Sequence, residues 1–235
     1  MYTPKFSITN QILKNIGRIE ASKEIIENAP LVPAYEAKFR QEAVIRTVHH
    51  GTHIEGNKLD TGEVAAVLEG QEVEAKDRDI QEVLNYRRVL NYIDRRAKQV
   101  AEKDLLVIHK LTVEKVLRPE QSGKYRTTQV VDKNSKTGEV SFKPPVPGQV
   151  SALVKGFFAW LSSDESGDIH PVLAAGITHY VLAYIHPFID GNGRTARSLA
   201  TMVLFTRGYD IKKFFSLEEY FDKNAKRYYE TLQAV

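Results

Sequence analysis

Apolar residues recur every three or four positions along most of this 235-residue chain, and that spacing constrains the fold more than any other feature. Such spacing places apolar side chains on one face of an α-helix. With 42% hydrophobic and 27% charged residues, the chain has the balance of a globular protein with a sizeable core. The sequence therefore predicts an all-α fold, mainly a helical bundle. The apolar stripes span residues 12–26, 39–48, 80–93, 102–117, 150–161, 172–185 and 196–204.

Capping and stop signals set the predicted helix boundaries. Thr9 can cap the first helix, which Pro30 and Pro33 end, so that the second helix starts near residue 34. The second helix is predicted to stop at Gly56-Asn57. Thr61 is predicted to cap a short helix that runs to Leu68. Two further helices are predicted to start at Asp77 and Pro171. The Ser216-Leu217-Glu218-Glu219 capping box predicts the start of one last helix.

One segment departs from the helical pattern. Residues 127–131 are rich in β-branched side chains, residues 132–138 are polar, and residues 139–142 alternate polar and apolar side chains before Pro144-Pro145. This order predicts one β-hairpin. Because a lone hairpin cannot form a core sheet, we expect it at the surface with an unpaired edge.

Composition excludes several classes of protein. The absence of cysteine excludes disulfides, thiolate catalysis and cysteine-ligated zinc. A net charge of +3 does not indicate nucleic-acid binding by this chain alone. The first residues lack the apolar core of a signal peptide, and the most apolar stretch, residues 171–185, is too short to span a bilayer, so we expect a cytoplasmic protein without membrane contact. The sequence leaves open a homo-oligomer and a further C-terminal domain.

Residues 186–197 carry the chemistry, and they lie between two apolar helical stretches. Gly191-Asn192-Gly193 can turn successive N–H groups toward one point, because glycine and asparagine tolerate positive φ. This turn precedes a helix, whose N-terminus attracts anions. Arg194 and Arg197 add two cations on nearly the same helix face. The pattern indicates a phosphate site.

Asp190 and His186 complete the site. The Asp190 carboxylate suits Mg²⁺ that bridges phosphates, and His186 can take a proton near neutral pH. Each feature alone has a structural reading: a His-Pro helix stop, a Gly-Asn-Gly turn, an aspartate cap or surface arginines. Together within twelve residues they indicate phosphoryl or nucleotidyl transfer.

The same twelve residues, His186-Pro187-Phe188-Ile189-Asp190-Gly191-Asn192-Gly193-Arg194-Thr195-Ala196-Arg197, resemble the signature of the Fic (Fic/Doc) family at every specified position. The resemblance implies a Fic fold that transfers AMP from ATP to a Ser, Thr or Tyr hydroxyl and releases pyrophosphate. It implies His186 as the general base and Asp190 as the magnesium ligand. The N–H groups of Gly191, Asn192 and Gly193 would hold the α- and β-phosphates, and Arg194 would neutralise charge on the transferred and leaving groups. Arg197 would hold the γ-phosphate, and Asn224, Tyr228 and Tyr229 would lie on the nucleotide side.

A second segment resembles the inhibitory motif of this family. In Thr52-His53-Ile54-Glu55-Gly56-Asn57, the resemblance pairs Glu55 with Arg197, so that ATP binds unproductively. The family pattern has Ser or Thr four residues before the glutamate, where this chain has Gly51, and Thr52 is the nearest substitute. The structural alternative is a solvated carboxylate at a helix end. The implied organisation is an N-terminal helical region, residues 1–100, with the inhibitory helix at about 34–56, and a catalytic core, residues 101–235.

The predicted hairpin, at about residues 123–143, resembles the flap of this family. An exposed strand edge can pair with a strand of a partner. The resemblance therefore implies that a target protein docks there, with Gly123, Tyr125, Arg126 and Val130 as the docking residues. The alternative is a hairpin with only a structural role.

Three functions stay open at this stage beside autoinhibited protein AMP transfer. The same site could remove AMP, with Glu55 positioning a water molecule. It could transfer another nucleotidyl or phosphoryl group. It could also only sense nucleotide within a DNA-binding protein. Labelled ATP separates an enzyme from a sensor.

Overall fold

The computed structural model describes residues 2–96, 99–133 and 140–234. Within these ranges the fold is built of helices, eleven α-helices and one short 3-10 helix at Ile211–Lys213, and two very short strands are the exception. The helices are α1 (Asn10–Asn28), α2 (Pro33–His53), α3 (Thr61–Leu68), α4 (Asp77–Asp94), α5 (Glu102–Thr112), α6 (Pro147–Leu161), α7 (Asp164–Asp168), α8 (Pro171–Ile185), α9 (Asn192–Thr206), α10 (Leu217–Lys223) and α11 (Ala225–Gln233).

Several predicted helix starts are confirmed by their caps. The Thr9 hydroxyl accepts a hydrogen bond from the Ile12 N–H, and the Ser216 hydroxyl accepts one from the Glu219 N–H. Pro171 is the first residue of α8, where its missing N–H costs nothing. Each bond satisfies an N–H group that the helix itself leaves unpaired.

Three boundary predictions were wrong. Asp60, not Thr61, caps α3, because its carboxylate accepts from the Glu63 N–H while Glu63 reaches back to the Asp60 N–H. Helix α5 ends at Thr112 instead of Leu117. The predicted last helix is two helices, since Asn224 leaves helical geometry with φ −120° and ψ 32°.

Two apolar clusters organise the helices. The main core surrounds the antiparallel pair α8 and α9, and α6 contributes the buried rings of Phe157 and Trp160. A smaller cluster joins α2, α3 and α4 through Val48, Val64 and Val83. Helix α4 contributes to both clusters, so it fixes α2 relative to α9. The predicted division near residue 100 stays a prediction.

The strands β1 (Asp132–Lys133) and β2 (Val140–Phe142) pair antiparallel, with Asp132 opposite Phe142. The first strand was predicted at residues 127–131, which are irregular. There the Gln129 side chain donates to the Pro144 carbonyl at 3.0 Å. A side-chain hydrogen bond thus connects these two segments in place of backbone hydrogen bonds between strands. The predicted turn, residues 134–139, lies outside the described residues. Of the described helices, none combines the length and apolar character that crossing a bilayer requires.

Candidate active site

The loop between α8 and α9 turns through two residues with left-handed backbone. His186, directly after α8, has φ 50° and ψ 59°, and Pro187 cannot continue the helix. Gly191 has φ 77° and precedes α9. A Cβ at Gly191 would lie 2.8 Å from Val113 Cγ1, so the position accepts only glycine.

Asn192 braces this loop from inside. Its side-chain amide accepts from the Phe188 N–H at 2.8 Å and donates to the Phe188 carbonyl at 2.9 Å. The buried Phe188 ring stacks on His109, with 3.6 Å between ring centroids. The sequence assigned Asn192 only through its backbone, and this bracing role of its side chain was missed.

The residues of the predicted phosphate nest lie at the start of α9, where Gly191 has positive φ and Asn192 and Gly193 belong to the helix. The first N–H groups of any α-helix lack partners within the helix, and the helix dipole adds positive potential there. Arg194, only 3% exposed, brings its guanidinium to the same end, and its Nε makes no hydrogen bond to any described residue. Arg194 and the helix N-terminus therefore lie together, and both favour an anion.

Glu82 is a buried residue of this site that the sequence did not single out. Its Oε1 lies 3.0 Å from Arg194 Nη1 and accepts from Arg78 Nε at 3.2 Å. Its Oε2 accepts from the Asn57 amide at 3.2 Å. The only local signal was the Arg78–Glu82 spacing of one helical turn, which usually marks a surface pair. Here Glu82 holds the Arg194 head in place.

The predicted contact between Glu55 and Arg197 is present. Arg197, 1% exposed, donates through Nη1 to Glu55 Oε1 at 2.8 Å and through Nη2 to the Gly51 carbonyl at 3.0 Å. Burial raises the pKa of Glu55, but the charges of Arg197 and Arg194 outweigh burial and bring the net pKa below its ordinary value. A Cβ at Gly193 would overlap with Glu55 Oε1, so the carboxylate lies directly over the start of α9.

Gly51 departs from the family pattern for a packing reason. The Tyr86 ring fills the space beside it, and a Cβ there would lie 2.7 Å from Tyr86 Cζ. The Tyr86 hydroxyl donates to the buried Glu218 carboxylate at 3.0 Å. The Thr52 hydroxyl donates back to the Val48 carbonyl of α2, and its role as the substitute stays a prediction.

Gly51→Ala should therefore destabilise the protein. The added methyl group must displace a buried ring, and overpacking of this kind costs about 1–3 kcal/mol. Urea unfolding measures the loss. Gly17→Ala in α1 is the matched control, because a Cβ at Gly17 meets nothing within 4 Å; it should stabilise by about 0.5–1 kcal/mol. Equal stability of Gly51→Ala and the parent would contradict the packing explanation.

Asp190 lies at the mouth of the site with its carboxylate 43% exposed. One carboxylate oxygen accepts from the Gly191 N–H at 2.6 Å, and the other lies 3.5 Å from Arg78 Nη2. The Asp190 carbonyl lies 3.0 Å from His109 Nε2. Since His109 Nδ1 accepts from the Gly123 N–H at 2.9 Å, Nε2 carries the proton. Burial lowers the pKa of His109 to about 4 and keeps the ring neutral.

The three residues predicted on the nucleotide side have different surroundings. Tyr228 is buried, with its hydroxyl 2.9 Å from His179 Nε2 and 3.4 Å from Arg197 Nη1. Asn224 lies between α10 and α11 and donates to the Tyr220 carbonyl. Tyr229 is 44% exposed, and its hydroxyl donates to the Ile54 carbonyl at 3.3 Å. A cavity of about 320 Å³ borders Asn224 and Tyr228 but not Tyr229.

The predicted flap residues make inward contacts. Gly123 binds His109, and the Tyr125 hydroxyl donates to Glu102 at 2.8 Å. Arg126 is buried among backbone carbonyls, and Val130 is half-buried. A role of these four residues in docking a target stays a prediction.

Fold and site together define a helical protein with a helix N-terminus and buried arginines that favour an anion. A sequence profile of the Fic/DOC family matches residues 99–204. A Fic family protein from Desulfovibrio desulfuricans G20 is 30% identical, and its crystal structure superposes with a TM-score of 0.84 over 99% of this chain and 69% of that chain. The chain belongs to the Fic/DOC family.

Curated relatives match a smaller part of their own length. The protein adenylyltransferase Fic of Drosophila grimshawi is 37% identical over 175 residues, which is 72% of this chain and 35% of the relative. The protein of the same name from Culex quinquefasciatus is 33% identical over 202 residues, 83% of this chain and 39% of the relative. The chain thus spans between a third and two fifths of the length of these relatives.

Proposed function

We propose that this chain is a protein adenylyltransferase that transfers AMP from ATP to a Ser, Thr or Tyr hydroxyl of a target protein or of itself. The observation that supports this most is the carboxylate of Glu55, which lies over the start of α9 and pairs with the buried Arg197, in the place where an anion would bind. A histidine, two arginines and a helix N-terminus within residues 186–197 suit displacement at a phosphate. The names of the curated relatives support AMP as the transferred group.

In the proposed reaction, the residues of this chain bind the phosphates, stabilise charge and accept a proton. The nest and Arg194 hold the phosphates and stabilise the charge that builds on them, and Arg197 holds the far phosphate. His186 takes the proton from the target hydroxyl. The hydroxyl oxygen bonds to the α-phosphorus as the bond to the leaving pyrophosphate breaks, and that bond's electrons stay on the pyrophosphate.

Asp190 fits the magnesium ion that such reactions use. Mg²⁺ is usually held by one or two carboxylates together with substrate phosphates, and Asp190 offers one half-exposed carboxylate beside the nest. The described residues contain no cluster of three metal-binding side chains, which suits an ion held mainly by phosphates. When bound, the ion would neutralise phosphate charge.

Mg²⁺ raises the affinity of the parent for ATP, and in Asp190→Ala this increase should be at least about tenfold smaller. Without Mg²⁺ the variant should bind ATP at least as tightly as its parent, because a carboxylate beside phosphates repels them. Calorimetry in the Glu55→Gly background, with and without Mg²⁺, measures both. Asp94→Ala is the control, since Asp94 pairs with Lys213 outside the site. The same Mg²⁺ dependence in Asp190→Ala and its parent would remove Asp190 from this role.

Glu55 provides the proposed autoinhibition. It occupies Arg197, and its carboxylate lies where an anion would approach the start of α9. A γ-phosphate competes with this carboxylate for the same guanidinium. With Glu55 in place, ATP would bind with its α-phosphate out of line with the target hydroxyl.

The target would dock along a free edge of the strand pair. Val131, directly before β1, and Val140, the first residue of β2, are 37% and 55% exposed, which leaves apolar side chains available to a partner strand. Strand addition aligns a backbone without reading much of its sequence. This mode suits an enzyme that must present one hydroxyl to His186.

Incubation with labelled ATP tests the proposal. The protein, alone or with candidate targets, is expected to retain label from α-labelled ATP and none from γ-labelled ATP. Label from the γ-position would indicate phosphate transfer instead, and ATP binding without any retained label would indicate a nucleotide sensor.

A further inference from the structure

Arg126 is buried, 5% exposed, and its side chain donates only to backbone carbonyls within the described parts of the chain. Nε bonds the His186 carbonyl at 2.8 Å. No carboxylate of the described residues pairs with the guanidinium, and burial alone lowers the pKa of Arg126. The remaining bonds run from Nη1 to Thr128 O at 3.2 Å, from Nη2 to Pro145 O and, at 3.5 Å, to Ile185 O, and from the Arg126 N–H to Pro187 O at 2.9 Å.

These carbonyls belong to two parts of the molecule. Ile185, His186 and Pro187 form the end of α8 and the start of the loop, while Thr128 and Pro145 lie on either side of the strand pair. Arg126 itself precedes the strand pair, and its guanidinium therefore connects the backbone on both sides of that pair to the backbone of His186.

The geometry of His186 explains why a cation is useful here. A residue other than glycine in left-handed conformation is unfavourable and persists only where its surroundings fix it. The carbonyls at a helix C-terminus carry partial negative charge and have no partners within the helix. Arg126 satisfies two of these carbonyls at once, at the residue that must face the target hydroxyl.

We propose that Arg126 is a positioning residue, which holds the His186 backbone and the backbone on both sides of the strand pair in one fixed geometry, so that base and target hydroxyl are aligned. The inference rests on the proposed function, since it requires His186 to be the base. This role differs from the direct contact with the target that the family resemblance implied for Arg126.

The test uses the Glu55→Gly protein as the active background. Arg126→Gln should lower kcat for AMP transfer by about 100-fold, the scale of a misplacement of about 1 Å, while the Kd for ATP changes by less than about threefold. Arg126→Lys keeps the charge with fewer donors in a different geometry, and it should lose less of kcat. Calorimetry gives the Kd, and labelled ATP gives kcat.

Arg207→Gln is the matched control. Arg207 is also partly buried and donates to the carbonyls of Ser166 and Leu161, but it lies away from the site at the end of α9. This variant should lose thermal stability and keep kcat. Added guanidinium should restore transfer to Arg126→Ala and not to His186→Ala.

Two results would overturn the inference. One is a kcat within twofold of the background in both Arg126 variants. The other is a loss of ATP affinity as large as the loss of kcat, which general disorder of the fold would produce. If Arg126→Gln does not fold, Arg126→Lys decides between these results. Absence of transfer in the Glu55→Gly background itself would overturn the proposed function instead.

Discussion

Replacing His186 by alanine should lower AMP transfer by about 100-fold to 10,000-fold, the cost of losing a general base. ATP binding should stay close to that of the parent, because the phosphate contacts come from the start of α9 and its arginines. Transfer measured with α-labelled ATP and binding measured by calorimetry give the two numbers, both in the Glu55→Gly background.

Two control variants separate the ring of His186 from its backbone. His186→Asn tolerates left-handed geometry, φ 50° here, but cannot act as a base near neutral pH, so it should be as inactive as His186→Ala. His170→Ala removes a histidine that bonds Glu20 far from the site, and it should transfer normally. Transfer by His186→Asn at the parent's rate would show that the backbone, and not the ring, matters.

Glu55→Gly should raise self-modification by about 5- to 150-fold, the range of a coupling free energy of about 1–3 kcal/mol between two sites. The change frees Arg197 for a γ-phosphate. It should also lower the free energy of unfolding by about 1–3 kcal/mol, since Arg197 is 1% exposed and loses its only carboxylate partner among the described residues. Activity and stability should therefore move in opposite directions.

Variants of Arg197 provide the control for this prediction. Arg197→Ala should not imitate Glu55→Gly, because it removes the phosphate contact together with the partner of Glu55. The double variant Glu55→Gly/Arg197→Ala should also show little self-modification, because it lacks the same phosphate contact. A folded Glu55→Gly protein without gain over the parent would contradict an inhibitory role of Glu55.

Local signals in the sequence predicted much of the fold. The caps at Thr9 and Ser216 and the start at Pro171 depend on residues within one helical turn, so a short window contains the necessary information. Asp60 and Thr61 are both residue types that cap helices. Asp60 is the cap of α3 because it forms a capping box with Glu63. Strand β1 begins later than predicted because bonds across the flap, such as Gln129 to Pro144, replace ladder bonds.

The candidate site was predicted where its residues are contiguous. The pairing of Glu55 with Arg197 followed only from the resemblance, since 142 positions separate them. Nothing local indicated that Glu82 holds Arg194, that Tyr86 requires glycine at position 51, or that Arg126 binds carbonyls of α8. These contacts depend on how α2, α4 and the flap pack, which no short stretch of sequence determines.

The central claim is that this site transfers AMP and that Glu55 inhibits the transfer. Its most direct test compares the intact masses of three proteins after incubation with ATP and Mg²⁺. These proteins are the parent, Glu55→Gly and the double variant Glu55→Gly/His186→Ala. We expect Glu55→Gly to gain the mass of one or more AMP groups, located by fragmentation on Ser, Thr or Tyr. The parent should gain far less, and the double variant none. An adduct of phosphate mass, or equal adducts on Glu55→Gly and the double variant, would contradict AMP transfer by this site.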